Sequence, residues 1–299
     1  IYSRPWWLDC VCGEKNWDVL LSLQDNAVVA AMPYYMPCSG IIIMPPFAQT
    51  MGIWFNPDFE TDNYSRNLSR KQAVCEEFIQ RLPDLSYFSQ NFNFDFTDWL
   101  PFYWNGFRQT TRYTYILESI KNTEVLEKNL SIKKRQNIKK ASEKSRLTVQ
   151  KGISVDDFMK INAQTFERQG LKSYHPKKLK KLIETVRESN RGEIWGAYDE
   201  ENRLHAAAFV VWQENCAYYI SGGSDSQFLN TGALTFVVWN AICDVAEFSS
   251  SFDFEGSMLK GVENFFREFG AIQKPYFSIE KGKMTLWKKL KLRLSVSIS

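Results

Sequence analysis

The sequence predicts an α/β fold built twice over: two tandem modules, each a mixed central sheet flanked by helices. Strand-like and helix-like periodicities alternate along 299 residues, a length sufficient for two domains of about 150 residues. Two hairpins also match. Leu23-Gln24-Asp25-Asn26 leads to Ala30-Ala31, and Tyr198-Asp199-Glu200-Glu201-Asn202 leads to Ala206-Ala207, so that Asn26 lies over Asn202 and each hairpin runs into a loop and a helix. A duplicated unit accounts for the match, although two unrelated hairpins that merely look alike would give one as short. Charge divides the chain in the same place. Residues 1–115 carry 8 basic and 12 acidic side chains, a balance of −4, whereas residues 116–299 carry 29 and 22, a balance of +7. We therefore expect modules at 1–120 and 121–299, the boundary falling just ahead of a basic stretch at 128–151.

Strands are expected at 17–23 and 27–36, joined by Gln24-Asp25-Asn26, then an irregular Pro/Gly segment from residue 37 to 57. A helix at 66–82 follows, with Leu68, Ala73, Phe78 and Leu82 on roughly one face and Pro83 as its stop. Residues 85–117 alternate aromatic and polar side chains, as half-buried strands do. Helices are expected at 123–130, 132–145, 155–169 and 176–189, and strands at 193–198, 204–213 and 216–222. A long apolar helix at 231–248, a strand at 252–255, a helix at 262–269 closed by Gly270 and a strand at 275–281 complete the second module. Beyond them, 284–294 reads as a basic amphipathic helix, with Leu286, Trp287, Leu290 and Leu294 on one side.

Composition narrows the function. At 44% hydrophobic and 24% charged, with 15 Gly and 10 Pro, the chain is an ordinary folded protein. Aromatic residues reach 15%, including 10 Trp, which suits grooves lined by rings. No run of about 18 apolar residues occurs, so no transmembrane segment is expected. The chain starts at Ile1 without a basic-then-apolar leader, which reads as a trimmed terminus that leaves an export signal open; a cytoplasmic location is the expectation. The six Cys at 10, 12, 38, 75, 216 and 243 lack metal or disulfide spacing. With only His175 and His205 present, no metal is expected, and proton transfer falls to carboxylates, Tyr, Lys or Cys. His205 reads as a satisfied strand histidine.

The segment Gln227-Phe228-Leu229-Asn230-Thr231-Gly232-Ala233 follows a strand and opens a helix. Its backbone N–H groups and the helix dipole would point at a docked anion, and Gln227, Asn230, Thr231, Gly232 and Ala233 are the candidate donor-binding residues. Any strand-to-helix turn can use Gly, so a purely structural loop is the competing reading. This loop resembles that of the GCN5-related N-acetyltransferase (GNAT) superfamily, Arg/Gln-x-x-Gly-x-Gly/Ala, departing from it at Asn230, a residue type that tolerates left-handed backbone. Downstream, Phe252-Asp253-Phe254-Glu255-Gly256-Ser257 through Gly270 and Pro275-Tyr276-Phe277 resemble the C-terminal module of FemAB-like tandem acyltransferases. Trp17-Asp18, Pro46-Phe47-Ala48-Gln49, Gly52-Ile53-Trp54 and Arg112-Tyr113-Thr114-Tyr115 resemble their N-terminal half.

The resemblance implies two fused acetyltransferase-like modules and transfer of an acyl or aminoacyl group to an amine. The donor is expected to be acyl-CoA, acetyl-CoA first, held by the second module. The first module shapes an acceptor cleft, because the prolines of Met44-Pro45-Pro46-Phe47 lack N–H donors. Such a reaction needs a base for the ammonium nucleophile and a proton for the leaving group. Strand alternation puts Asp253 and Glu255 on one face, making them the catalytic candidates, with Glu255 first; pairing with Lys260 or Arg267 is the structural alternative. Tyr276 and Tyr219 are candidate acids, and Trp54, Arg112 and Tyr219 candidate substrate-binding residues. Cys216 and Cys243 lie in apolar runs that would raise their pKa.

The stretch 128–151 puts Lys133, Asn137, Lys140 and Lys144 at helical spacing, an expected contact for RNA or another anionic surface, or simply a solvated face. Two alternatives accompany acyl-CoA transfer. One is FemAB-type, transfer-RNA-dependent aminoacyl transfer to a cell-wall precursor. The other is a non-catalytic sugar- or peptide-binding protein of the same fold, using the aromatic interval 87–115. The expected acceptor is an amine, either a small molecule or one belonging to peptidoglycan or polysaccharide.

Overall fold

The computed structural model describes residues 1–170 and 172–284, and its internal contacts separate two compact units. The first holds Ile1–Arg112 and, among the described residues, 275–284; the second holds Tyr113–Lys274.

In the first unit α1 (Pro5–Cys12) precedes the antiparallel hairpin β1 (Trp17–Gln24) and β2 (Ala27–Cys38). Asp25 and Asn26 turn the hairpin at φ 51° and 64°, the left-handed pair that matches the twist of the strands it joins. β3 (Ile41–Ile43) continues from β2, and β4 (Trp54–Phe55) pairs with it. The 18-residue α2 (Tyr64–Arg81) then crosses to β5 (Tyr87–Asn91), which runs parallel to β3. α3 (Leu100–Trp104) and the start of β6 (Arg108–Leu117) follow. The core between these elements contains Ile42, Phe78, Phe88, Phe92, Phe102 and Phe107.

The sheet expected over 85–117 forms at its two ends, β5 and β6, the latter with Tyr113 and Tyr115, whereas the alternation between them has a different cause. Phe92 joins only an isolated bridge to Met51. Its ring meets Phe96 and Phe102 edge to face, with centroids 4.7 and 5.1 Å apart. Ring packing around α3 therefore produces the repeating aromatics of this interval.

The second unit repeats the plan. α4 (Thr123–Asn129) and α5 (Ile132–Lys139) lead through a π-helical turn, Lys140–Lys144, to β7 (Thr148–Lys151). α6 (Val155–Arg168) starts at the Ser154 cap, whose side chain accepts the Asp157 amide, and α7 (Pro176–Glu188) follows. β8 (Gly192–Tyr198) and β9 (Leu204–Trp212) form the matching antiparallel hairpin, with Asn202 at φ 59° where Asn26 stands in the first. β10 (Cys216–Ser224), α8 (Ala233–Val245) and β11 (Ser251–Asp253) make the strand–helix–strand crossover, β10 and β11 being parallel. α9 (Lys260–Arg267) precedes β12 (Ile272–Gly282). Within this unit the strand order is β6-β11-β10-β9-β8-β7.

Both units thus hold an antiparallel hairpin followed by a parallel pair bridged by a helix, the architecture that the two matching hairpins suggest. Residues 278–282 of β12 pair antiparallel with β5, so residues 275–284 group with the first unit. This differs from a single cut at residue 120, because sheet pairing rather than chain order decides which core a final strand completes. The amphipathic helix expected at 284–294 lies outside the described residues apart from Met284. Among the described residues no helix is long and apolar enough to cross a membrane.

Candidate functional site

The apolar run 233–245 buries Val237, Val238, Ala241, Ile242 and Val245, which anchors α8 in the core of the second unit and fixes where its N-terminus opens. The residue before it, Gly232, has φ 81° and caps the helix without a side chain. A β-carbon there would meet the backbone oxygen of Asn137 at 2.3 Å, so glycine is required both by the dihedral and by the approach of α5. The first-turn amides of α8 consequently have no side-chain acceptor. They open into a cavity of about 290 Å³ lined by Gly232, Ala233, Thr235, Lys133, Lys134 and Asn137, among others. Arg168 from α6, and Asn264, Phe265 and Glu268 from α9 and its C-terminal end, also line it.

Lys134 is the residue that spacing alone did not single out. It points inward from α5, where Ile138 also packs on the core, and is only 1% exposed. Its ammonium lies 3.2 Å from the centre of the Phe265 ring and 4.3 Å from that of Phe269. The Thr235 hydroxyl is 3.4 Å away. Burial outweighs the nearby Glu268 and brings the ammonium down to about 7. The available signal was a lysine standing at an apolar position of a helix. By contrast, Lys140 and Lys144 are exposed, and the π-helical turn breaks the regular spacing that placed them with Lys133.

The loop behind Gly232 is braced by a buried polar chain. His205, on β9, puts Nε2 2.9 Å from Asp199 Oδ2 and Nδ1 3.4 Å from Thr231 Oγ1. Its ring stacks on Phe228 with centroids 3.8 Å apart. Although burial alone would raise it, the Asp199 carboxyl is held well below the usual carboxylate range by the Arg203 amide, His205 and the Arg203 guanidinium. Thr231 therefore faces this brace, while Gln227 and Asn230 are exposed. Of the five predicted loop residues, Gly232 and Ala233 line the cavity. Asn230 sits in a 3-10 turn, and among 229–232 only Gly232 has positive φ, so the Asn in place of glycine meets no conformational demand.

At the end of β11 the two acids have separate roles in the backbone. The strand stops at Asp253, whose Oδ1 accepts the Glu255 amide at 2.7 Å and the Thr114 hydroxyl. Burial raises the Asp253 carboxyl to about 6 against those hydrogen bonds. Glu255 is left-handed at φ 59°, which ends the alternation that had placed both acids on one face. Its Oε1 is buried without a hydrogen-bond partner, and desolvation raises its carboxyl well above the ordinary range. Neither acid lines the cavity at α8.

The remaining candidates are dispersed. Trp54, half exposed, and the exposed Arg112 belong to the first unit, as does the buried Tyr276. Tyr219 is a core residue of the second, its ring 5.8 Å from Phe266, with burial pushing the phenol up. Burial likewise pushes the Cys216 and Cys243 thiols up to about 11. Among the described residues no cluster of three or more His, Cys, Asp and Glu is placed to hold a metal ion.

Comparison with known proteins agrees with this architecture. Residues 132–267 match the family profile of the acetyltransferase (GNAT) domain. No curated protein matches the chain in sequence. Among solved structures, FemX superposes with a TM-score of 0.69 at 13% identity, over 93% of this chain and 91% of its own. A C-terminal domain assigned to a lysylphosphatidylglycerol synthetase from Agrobacterium fabrum gives 0.55 at 11% identity, over 96% and 89%. The L-PGS of Bacillus licheniformis gives 0.50 at 11% identity, over 94% and 89%. The resemblance carried by the loop at 227–233 and the segment from Phe252 is therefore borne out: residues 132–267 match the GNAT acetyltransferase domain, within a chain that has a FemX-like, tandem α/β fold.

Proposed function

We propose that the second unit transfers an acyl group from a phosphate-bearing donor to an amine. The observation that carries this reading is the uncapped N-terminus of α8, opening into a cavity shared with Lys133 and Lys134. A helix N-terminus beside cations favours an anion over water, and phosphate supplies several acceptor oxygens for the free amides. The corresponding helix of the first unit supports the assignment by contrast. There, Asn63 caps α2 by accepting the Arg66 amide at 2.9 Å, which fills the place an anion would take.

The donor we favour is acyl-CoA, with acetyl-CoA the simplest case. In the transfer, the amine nitrogen attacks the thioester carbonyl, the N–C bond forms and the C–S bond breaks. The nitrogen loses a proton to a base and the departing thiolate takes one up. Glu255 is our candidate base, because a carboxylate with a raised pKa removes a proton from an ammonium more readily than an ordinary one. A second reading is favoured by the basic residues around α5: an aminoacyl ester of transfer RNA as donor, with C–O cleavage in place of C–S. The fold shared with a lysylphosphatidylglycerol synthetase and FemX is compatible with it.

Transfer of labelled acetyl from acetyl-CoA to a panel of primary amines, run beside the same panel with charged transfer RNA, tests both readings. Acetyl transfer, together with a rise in Tm on adding CoA, supports the first. RNA retention that falls steeply with salt, together with aminoacyl transfer, selects the second. If neither donor shifts Tm or gives product, the chain is a binding protein on this fold.

A further inference from the structure

We infer that Lys134 is a binding residue for the donor's phosphate group, the internal cation of a subsite that the loop 227–233 alone does not define. The inference deepens the functional reading above and rests on it. Three observations converge. The Lys134 ammonium is almost wholly buried, yet it lines the cavity into which α8 opens. It has no ion pair among the described residues, and the only hydrogen bond it makes there is the long one to Thr235. The carboxylate that lines the same cavity, Glu268, is already engaged: Lys133 lies 3.6 Å from it and the Asn264 amide donates to it at 3.1 Å.

A buried cation held only by ring faces and one hydroxyl is costly to the protein unless something of opposite charge joins it. The faces of Phe265 and Phe269 offset part of that cost. They cannot replace a counter-ion. Lys133, Lys134 and Arg168 outnumber Glu268 around the cavity, so the local charge favours an anion of more than one charge. A phosphate ester or diphosphate is such an anion, and both acyl-CoA and transfer RNA carry one.

The arrangement sets stability and binding at odds. Without ligand, Lys134 weakens the fold while it is charged. Because its proton affinity is lower folded than unfolded, the penalty is fully present below pH about 7 and fades as pH rises toward the unfolded value near 10.4. Lys133, Arg168 and Glu268 are the other charged groups around the cavity. Binding of an anion draws the proton back onto Lys134.

The test uses inorganic pyrophosphate as probe, with the full chain as wild type, Lys134→Met and Lys134→Gln. Titration calorimetry is expected to show pyrophosphate affinity falling about 30-fold in both variants, the size of one lost charge-assisted hydrogen bond. Free Lys134→Met should melt no lower than wild type at pH 7, its advantage shrinking as pH approaches 10. Calorimetry at pH 8 in two buffers of different ionisation enthalpy should record proton uptake in wild type and none in Lys134→Met. Unchanged affinity in both variants, or a lower Tm with affinity retained, makes Lys134 a structural lysine and overturns the inference alone. Failure of wild type to bind pyrophosphate, CoA and RNA overturns the functional reading and this inference with it. Repeating the titration with CoA and with a short RNA hairpin ending in CCA separates the sources, since the true donor is the one weakened by Lys134→Met.

Discussion

Asp253 accepts the backbone amide of Glu255 through the same oxygen, Oδ1, that receives the Thr114 hydroxyl, at 2.7 Å for the amide. One buried carboxylate thus holds its neighbour's backbone in the left-handed region and ties the end of β11 to β6. Left-handed backbone is costly for a residue with a β-carbon, so the contact keeps Glu255 where it would not settle unaided. The turn leaves no slack. A β-carbon at Gly256 would come within 2.0 Å of the Tyr113 carbonyl oxygen.

Asp253→Ala should therefore lower stability by about 2–4 kcal/mol, since it leaves the Thr114 hydroxyl and the Glu255 amide without their acceptor. Denaturant melts measure this. Thr114→Val, which removes a single donor, should cost less than half as much. If the two variants cost the same, Asp253 is not the organising group of the turn.

Gly232→Ala tests the loop in a different way. The added carbon would meet the Asn137 oxygen in a backbone that already has φ 81°, and neither helix can retreat without opening the core. A loss of about 2 kcal/mol or more is expected, with the Tm shift on adding CoA or pyrophosphate abolished. An alanine variant with unchanged Tm would mean that α5 yields easily and that the cavity floor is soft.

Asp199 should make stability depend on pH. Its folded proton affinity is depressed, so its contribution is complete above the unfolded value of about 3.9 and is lost as pH falls further through the folded one. Asp199→Asn is expected to melt lower than wild type at pH 7, and the difference should shrink as pH falls below about 4. Melting curves across that range decide it. A gap that stays constant would assign the effect to hydrogen-bond geometry rather than charge.

How much of this was legible beforehand depended on which force shaped each residue. The hairpin turns at Asn26 and Asn202 were readable because the turn itself demands left-handed backbone, a local requirement written in residue type. The opening of α8 was readable for the same reason, through Gly232. Lys134 was not, because its meaning depends on the rings of Phe265 in α9 and Phe269 just past it, some 130 residues later in the chain. The shared face assigned to Asp253 and Glu255 failed because a hydrogen bond from one to the backbone of the other turns the chain after β11, and strand periodicity carries no sign of that. Tyr219 and Tyr276 both look available as isolated phenols in sequence, yet both are buried.

The proposed role of Glu255 as the base has the sharpest consequence for catalysis. Its Oε1 lacks a partner and its carboxyl is raised well above the ordinary range by desolvation. A base of this kind works only when ionised, so kcat/KM for acyl transfer should rise with pH through an acid limb displaced above that of an exposed glutamate. Glu255→Gln keeps the shape and removes the charge. It should lower kcat/KM by about 10²–10⁴-fold and erase the limb, while the Tm shift caused by CoA, which reports the cavity at α8, stays as in wild type. Free Glu255→Gln should fold at least as well as the parent, because an amide avoids the cost of a buried charge. Retention of the acid limb in that variant would move the base to another group. A lost CoA response would mean that Glu255 and the α8 cavity are not independent.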